Sequence, residues 1–126
     1  MKLTNSYIGL PEDFYQVVNP LPVKSPQIIS FNDELAQYLG LEIDKKEALK
    51  YFSGNSIPEN TTPIALNYAG HQFGNFVHEL GDGRATLLGE IEVNKERFDI
   101  QLKGSGPTKF SRQGDGRSAL GPVIRE

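Results

Sequence analysis

The residues best suited to chemistry in this sequence are two copies of Gly-Asp-Gly-Arg, at 81–84 and 114–117, and a lysine between them, Lys103. Glycines allow close backbone approach, consecutive N–H groups can bind an anion, and arginine binds phosphate oxygens in bidentate fashion. Neither copy has the spacing of a Walker A loop or of a Gly-x-Gly-x-x-Gly turn. A single copy would be a hairpin turn more often than a ligand site. Two copies that flank a lysine-tipped strand indicate a site for an anionic ligand.

The elements that must position these residues are strands. Residues 76–80 and 86–93 lie on either side of the first copy, where Asp-Gly predicts a tight hairpin whose backbone N–H groups stay free. A turn at 94–96 leads to a third strand, residues 98–103, which ends at the lysine. Both later strands alternate between apolar and other residues. On the second strand we expect one face to carry Leu87, Gly89, Ile91 and Val93, and on the third strand we expect one face to carry Phe98, Ile100 and Leu102.

The sequence of the preceding sixty residues predicts short packing elements, in which we identify no catalytic or ligand-binding residues. The expected elements are a helical turn near 13–18, a short strand at 26–30, a helix at 33–39 behind an Asn32 N-cap and ended by Gly40, and a second helix after an Asp44/Glu47 capping box, ended by Gly54.

Residues 104–117 predict a long loop, too rich in glycine and polar residues to be a packing element. Such long loops are usually functional or disordered. A helix is expected to begin at Ser118 or Gly121, with Pro122 in its first turn. Because this helix has barely begun where the sequence stops at Glu126, we expect the chain to be a fragment of a longer protein.

Composition is that of an ordinary soluble domain, with 37% hydrophobic and 23% charged residues and no cysteine. No apolar stretch is long enough to span a membrane, and no signal peptide is evident. The absence of cysteine fits a cytoplasmic setting. Residues 1–96 carry a net charge of −6, and residues 97–126 carry +3. A basic end on an acidic body favours an anionic ligand over nucleic acid, although a solvated charged loop is the alternative.

Other reactive side chains form no recognisable site. His71 and His78 lack the spacing of a metal motif, so we predict no metal ligands in this sequence. Ser105, Thr108 and Ser111 are loop hydroxyls without a neighbouring base in sequence, and no nucleophile signature is present.

Lys103 lies where protein kinases place the lysine that contacts nucleotide phosphates and pairs with a helix glutamate. Glu126 follows 23 positions later and supplies a candidate partner. The alternative is that Glu126 is a solvated helix residue.

Four stretches together resemble one known family. They are Tyr-Ala-Gly-His-Gln-Phe-Gly at 68–74, Leu-Gly-Asp-Gly-Arg-Ala at 80–85, Leu-Gly-Glu at 88–90, and the seventeen residues from Gln101 to Arg117. This combination resembles the selenoprotein O family of kinase-like protein adenylyltransferases, densely over 63–126 and more loosely over 1–62. The resemblance implies transfer of AMP from ATP, bound in an inverted pose, to Ser, Thr or Tyr hydroxyls of proteins.

The resemblance also implies roles for individual residues. It assigns Gly81, Gly83 and Arg84 to nucleotide binding in the glycine loop. Lys103 becomes the phosphate-contacting lysine, paired with Glu126. The further nucleotide contacts that it assigns are Asp115 and Gly116. The catalytic aspartate, the Mg²⁺ ligands and a C-terminal redox-active Cys or selenocysteine of the family are expected outside this sequence.

We therefore predict an α+β chain: an N-terminal helical extension over 1–62, then an antiparallel sheet with glycine-rich loops over 63–126 that resembles a kinase small lobe. The parent protein is expected to be an ATP- and Mg²⁺-dependent protein adenylyltransferase that binds neither nucleic acid nor membrane. The fragment alone is expected to be inactive and marginally stable. Two alternatives stay open: a conventional phosphoryl-transferring kinase lobe, and a nucleotide-binding module without catalysis.

Overall fold

The computed structural model describes residues 1–125, so Glu126 and the predicted pairing with it lie outside the described residues. One antiparallel sheet has four strands in the order β1-β2-β5-β6, and a separate hairpin is formed by β3 and β4. The strands are β1 Tyr15–Val17, β2 Ile64–Leu66, β3 Gly70–Gln72, β4 Asn75–Val77, β5 Ala85–Val93 and β6 Glu96–Lys103. The structure is thus a mixture of helix and antiparallel sheet, as the α+β prediction requires.

The long hairpin of β5 and β6 is the centre of the sheet and matches the prediction. Its connection is the two-residue turn Asn94-Lys95, in which both residues have positive φ (52° and 70°). That geometry suits the right-handed twist of the flanking strands. The predicted alternation of β6 is confirmed, since Leu102 is buried while Gln101 and Lys103 are exposed.

The predicted face of β5 holds from Gly89 to Val93 but is wrong at Leu87, because the strand contains a β-bulge. Leu87 lies opposite Gln101 and Gly89 lies opposite Ile100, which leaves Leu88 as an extra residue. Leu87 therefore shares a face with Gln101 rather than with Ile91. The bulge lets Leu88 join the buried cluster, which consists of Leu3, Leu88 and Leu102 packed with Met1, Ile91 and Ile100.

The N-terminal residues are bound to β5 just after the bulge. Thr4 and Glu90 exchange two backbone hydrogen bonds of 2.9 and 2.6 Å, and the buried Glu90 carboxylate accepts a hydrogen bond from the Ser6 N–H. Gly89 has φ +151°, and a Cβ on it would lie 2.6 Å from the Thr4 carbonyl oxygen. Only glycine permits this crossing of the two backbones.

The predicted hairpin at the first Gly-Asp-Gly-Arg copy is also wrong. Residues 76–80 do not pair with β5, because β4 pairs with β3 and β5 pairs with β2 and β6. The tight turn of this region lies earlier, at Phe73 and Gly74, whose φ angles are 54° and 77°. Residues 67–84 thus form a connection between β2 and β5 that carries its own hairpin.

Two helices follow their capping signals as predicted. Helix α1, Asp33–Tyr38, begins after Asn32, whose side chain accepts a hydrogen bond from the Leu35 N–H at 2.9 Å. Helix α2, Lys45–Phe52, begins with the complete capping box of Asp44 and Glu47.

Other predictions for the N-terminal residues need correction. Residues 26–30 form no strand, and residues 12–14 form a 3₁₀ turn that leads directly into β1. Residues 1–62 therefore supply an edge strand of the sheet as well as helices. The division of the chain at residue 62 stays a prediction.

The last described element is helix α3, Leu120–Arg125, with Pro122 in its first turn as expected. Residues 104–117 form the predicted long loop. Among the helices of residues 1–125, none is long and apolar enough to cross a membrane.

Replacing Gly89 with alanine is expected to detach the N-terminal residues from β5. Strain of about 1–3 kcal/mol at such a position corresponds to roughly 5- to 150-fold faster local opening. We expect hydrogen exchange at Thr4 and Glu90 to accelerate accordingly in the full-length gene product. The control is Gly9→Ala, since a Cβ on Gly9 would meet no atom within 4 Å. Equal exchange in both variants would contradict the assigned role of Gly89.

Candidate functional site

The two Gly-Asp-Gly-Arg copies line one cleft of about 370 Å³. The first copy reaches it from the loop before β5, and the second from the long loop after β6. The cleft-lining residues are Gln72, Leu80, Gly81, Gly83, Arg84, Phe110, Ser111, Arg112, Gly114, Asp115, Gly116 and Arg117. The structure thus brings together two motifs that lie thirty residues apart in sequence.

Asp82 of the first copy is turned into the protein instead of the cleft. It is 7% exposed, and its carboxyl oxygens accept hydrogen bonds from the Leu66 N–H (3.0 Å), the Tyr68 hydroxyl (2.9 Å) and the Gln101 side-chain amide (3.4 Å). Because a buried polar group must be hydrogen-bonded, these contacts hold the loop in one position against β2 and β6. Sequence reasoning treated Asp82 as a turn residue and missed this role.

The expectation of free backbone N–H groups in the first copy is wrong. The Gly81 N–H donates to the Tyr68 carbonyl (3.1 Å), the Asp82 N–H to the Leu66 carbonyl (2.9 Å), and the Gly83 N–H to the Gly81 carbonyl (3.1 Å). These three amides are therefore engaged within the chain. An anion in the cleft would meet side-chain cations here instead of a nest of amides.

The long loop packs directly onto the first copy. Its Thr108 hydroxyl donates to the Asp82 carbonyl at 2.7 Å, and its Ser111 hydroxyl donates to the Gly83 carbonyl. A Cβ on Gly81 would lie 2.4 Å from the Phe110 ring. The absence of a side chain at Gly81 thus makes room for Phe110 of the same chain.

The second copy closes the base of the long loop. Gly116 has φ +66°, and a Cβ on it would lie 1.9 Å from the Gly106 carbonyl oxygen. The Gly106 N–H donates to the Gly116 carbonyl at 3.2 Å, and the exposed Asp115 carboxyl accepts a hydrogen bond from the Arg117 N–H at 2.9 Å. Gly116 is therefore required for the crossing of two backbone segments.

Three arginines and one aspartate give the cleft its charge. Arg84 is exposed, and its guanidinium makes no hydrogen bond or ion pair with any residue from 1 to 125. The Arg117 guanidinium donates to the carbonyls of Gly104 (3.3 Å) and Leu21 (3.5 Å). Arg112 donates to the Gln72 side-chain carbonyl across the cleft. With Asp115 as the one acidic lining residue, the cleft favours an anion.

Lys103 lies beside this cleft, at the end of β6 and opposite Ala85. The next residue, Gly104, donates its N–H to the Arg84 carbonyl at 2.7 Å, which ties the lysine's strand to the first copy. Lys103 lines an adjoining cavity that shares Arg117 with the cleft. The other five residues assigned by resemblance, Gly81, Gly83, Arg84, Asp115 and Gly116, all line the cleft itself.

The histidines stay apart from this arrangement. His71 and His78 pack edge-on against Phe76, with ring centroids 5.4 and 4.8 Å away. Within residues 1–125, no group of three or more His, Cys, Asp or Glu side chains is placed to hold a metal ion.

The antiparallel sheet places two glycine loops and three arginines around one cleft, and this arrangement suits an anionic ligand. Residues 1–126 match the family model described as protein adenylyltransferase SelO, and the chain belongs to that family. It is 59% identical to a protein nucleotidyltransferase YdiU of Agrobacterium fabrum over its whole length. Relatives with the same description in Bradyrhizobium and Bacillus cereus are each 56% identical over 97% and 98% of the chain. The chain spans about a quarter of the length of these relatives.

The hydrogen bond between Tyr68 and Asp82 makes the fold sensitive to alkali. Partial burial of the phenol, together with the hydrogen bond to Asp82 and the charge of Asp82, raises the pKa of Tyr68 to about 12. Since the ordinary tyrosine pKa is about 10, this stabilisation is complete below about pH 10 and is lost as the pH rises towards 12.

Tyr68→Phe is therefore expected to lower the thermal midpoint of the full-length protein by a constant amount up to about pH 10, with the difference shrinking above it. The measurement is a series of melts between pH 8 and 11.5, with Tyr51→Phe as the control. A difference that stays unchanged across the series would contradict the assigned pKa and hydrogen bond.

Proposed function

We propose that this chain is the nucleotide-binding part of an enzyme that transfers AMP from ATP to Ser, Thr or Tyr hydroxyls of proteins. The observation that carries the proposal is the convergence of both Gly-Asp-Gly-Arg copies, with Arg84, Arg112 and Arg117, on one cleft. Membership of the adenylyltransferase family and the nucleotidyltransferase descriptions of its relatives support it.

A polyphosphate suits the donors of this cleft. The Arg84 guanidinium makes no hydrogen bond or ion pair with any residue from 1 to 125. Guanidinium groups bind phosphate oxygens in bidentate fashion with charge-assisted hydrogen bonds. A volume of about 370 Å³ lies within the range of small-ligand sites. Transfer of a phosphoryl or adenylyl group depends mainly on positioning and charge stabilisation, which such a cleft can supply.

In this proposal Lys103 approaches the phosphates from the adjoining cavity and pairs with Glu126. The chain order agrees with a kinase small lobe, where a glycine-rich connection precedes the lysine strand and a helix with the glutamate follows. Here residues 67–84 are the connection, β6 ends at Lys103, and α3 follows. We further propose that this chain forms a kinase-like small lobe and that the full-length enzyme is cytoplasmic.

The proposal includes Mg²⁺, which would neutralise charge on the phosphate oxygens when bound. Its ligands are proposed to lie in the remainder of the full-length protein, with the catalytic aspartate. Residues 1–126 alone are accordingly proposed to be inactive. The part that this chain plays is to hold the polyphosphate with Arg84, Arg117 and Lys103.

The test asks which phosphorus atom of ATP becomes bound to protein. Full-length enzyme is incubated with Mg²⁺ and ATP labelled at the α or the γ phosphate. We expect protein-bound α label that falls at least tenfold in Lys103→Ala, because loss of a phosphate contact weakens transition-state stabilisation. Lys46→Ala, which removes an exposed lysine of α2, is the control and should retain activity.

The other outcomes separate the alternatives. Lysine-dependent γ label without α label would replace the proposal with a conventional kinase. Nucleotide binding without transfer of either label would indicate a binding module.

A further inference from the structure

Arg112 and Gln72 face each other across the cleft from its two walls. Arg112 belongs to the long loop after β6, and Gln72 is the last residue of β3. The Arg112 guanidinium donates a hydrogen bond to the Gln72 side-chain carbonyl, and both residues line the cleft. This contact joins residues forty positions apart in sequence and connects the β3–β4 hairpin to the long loop.

The backbone presents Arg112 in an unfavourable conformation. The Gly114 N–H donates to the Ser111 carbonyl at 2.8 Å, and the two residues between them, Arg112 and Gln113, have φ angles of 49° and 73°. Turns of this kind favour Gly, Asn and Asp at both positions, so arginine and glutamine are disfavoured there. The turn is held by Ser111, whose hydroxyl donates to the Gly83 carbonyl.

The hydrogen bond between Arg112 and Gln72 leaves most N–H donors of the Arg112 guanidinium unused. A guanidinium has five N–H donors, and a neutral amide oxygen is a weaker acceptor than a phosphate oxygen. Arg84 and Arg117 line the same cleft, so a polyphosphate bound there comes within reach of a third arginine. The same group that bridges the cleft is therefore suited to bind its ligand.

We propose that Arg112 is a third phosphate-binding arginine, and that Gln72 holds it until a polyphosphate replaces the amide. This inference rests on the proposed nucleotide site and adds to it one binding residue and one competing residue. A bound phosphate competes with Gln72 for the same donors. A stronger acceptor at position 72 therefore weakens ligand binding, and removal of the acceptor strengthens it.

The experiment measures Kd by calorimetry for ATP and for inorganic tripolyphosphate, with the full-length gene product. Arg112→Ala is expected to raise both constants about tenfold or more, as for loss of charge-assisted hydrogen bonds. Gln72→Glu should also raise them several-fold, whereas Gln72→Ala should lower them about two- to threefold. Arg112→Lys, which keeps the charge but not the bidentate geometry, should fall between wild type and Arg112→Ala.

The matched control is Gln113→Ala, which alters the same turn beside Arg112 and should leave both constants unchanged. Circular dichroism of each variant verifies folding. If Arg112 served only to connect the hairpin to the loop, Gln72→Ala would not lower the Kd while Arg112→Ala and Gln72→Glu raise it. Unchanged Kd values in Arg112→Ala, or equal shifts in both Gln72 variants, would overturn the proposal.

The labelled-ATP assay distinguishes failure of this inference from failure of the proposed function. Transfer of α label by a protein whose Kd does not respond to Arg112→Ala overturns the role of Arg112 alone. The expected Kd pattern without α transfer overturns adenylyl transfer and leaves Arg112 as a polyphosphate-binding residue. If the wild type binds neither ligand, both proposals fail.

Discussion

The buried Asp82 side chain is the constraint on which the cleft depends. Its carboxyl oxygens accept hydrogen bonds from the backbone of β2, from Tyr68 and from Gln101 on β6, while its own carbonyl accepts one from Thr108. A buried group of this polarity is costly unless its hydrogen bonds are satisfied, and only one position of the loop satisfies them. Asp82 thereby sets the positions of Gly83, Arg84 and the long loop relative to the sheet.

Packing within the chain explains why this loop needs glycines. Phe110 lies against Gly81, and the Phe110 backbone carbonyl would lie 2.9 Å from a Cβ on Gly83. The N–H groups of Gly81, Asp82 and Gly83 bond to the chain's own carbonyls. The positive charge of the cleft therefore comes from its arginine side chains, which suit the phosphate oxygens of a polyphosphate.

Local sequence signals predicted the elements whose causes are local. The caps of α1 and α2 lie within four residues of what they satisfy, and the Asn94-Lys95 turn joins two strands directly. Where long-range contacts decide, the predictions were wrong. We expected a hairpin at residues 81–84. In the structure β5 pairs with β2 instead, and Asp82 accepts a hydrogen bond from the Leu66 N–H. The faces of β5 depend on a bulge at Leu88, which lies where Leu3 crosses Gly89 and which periodicity alone does not reveal.

The sequence by itself determined the family, the α+β class and the residue types of the site, because motif composition and capping chemistry are local properties. The family resemblance assigned six residues to one expected site; Gly81, Gly83, Arg84, Asp115 and Gly116 line the cleft, and Lys103 lines the adjoining cavity. Only the tertiary structure decided that Asp82 faces inward, that the loop amides are engaged and that Arg112 meets Gln72. These features depend on which distant segments pack together, and no spacing along the chain encodes that directly.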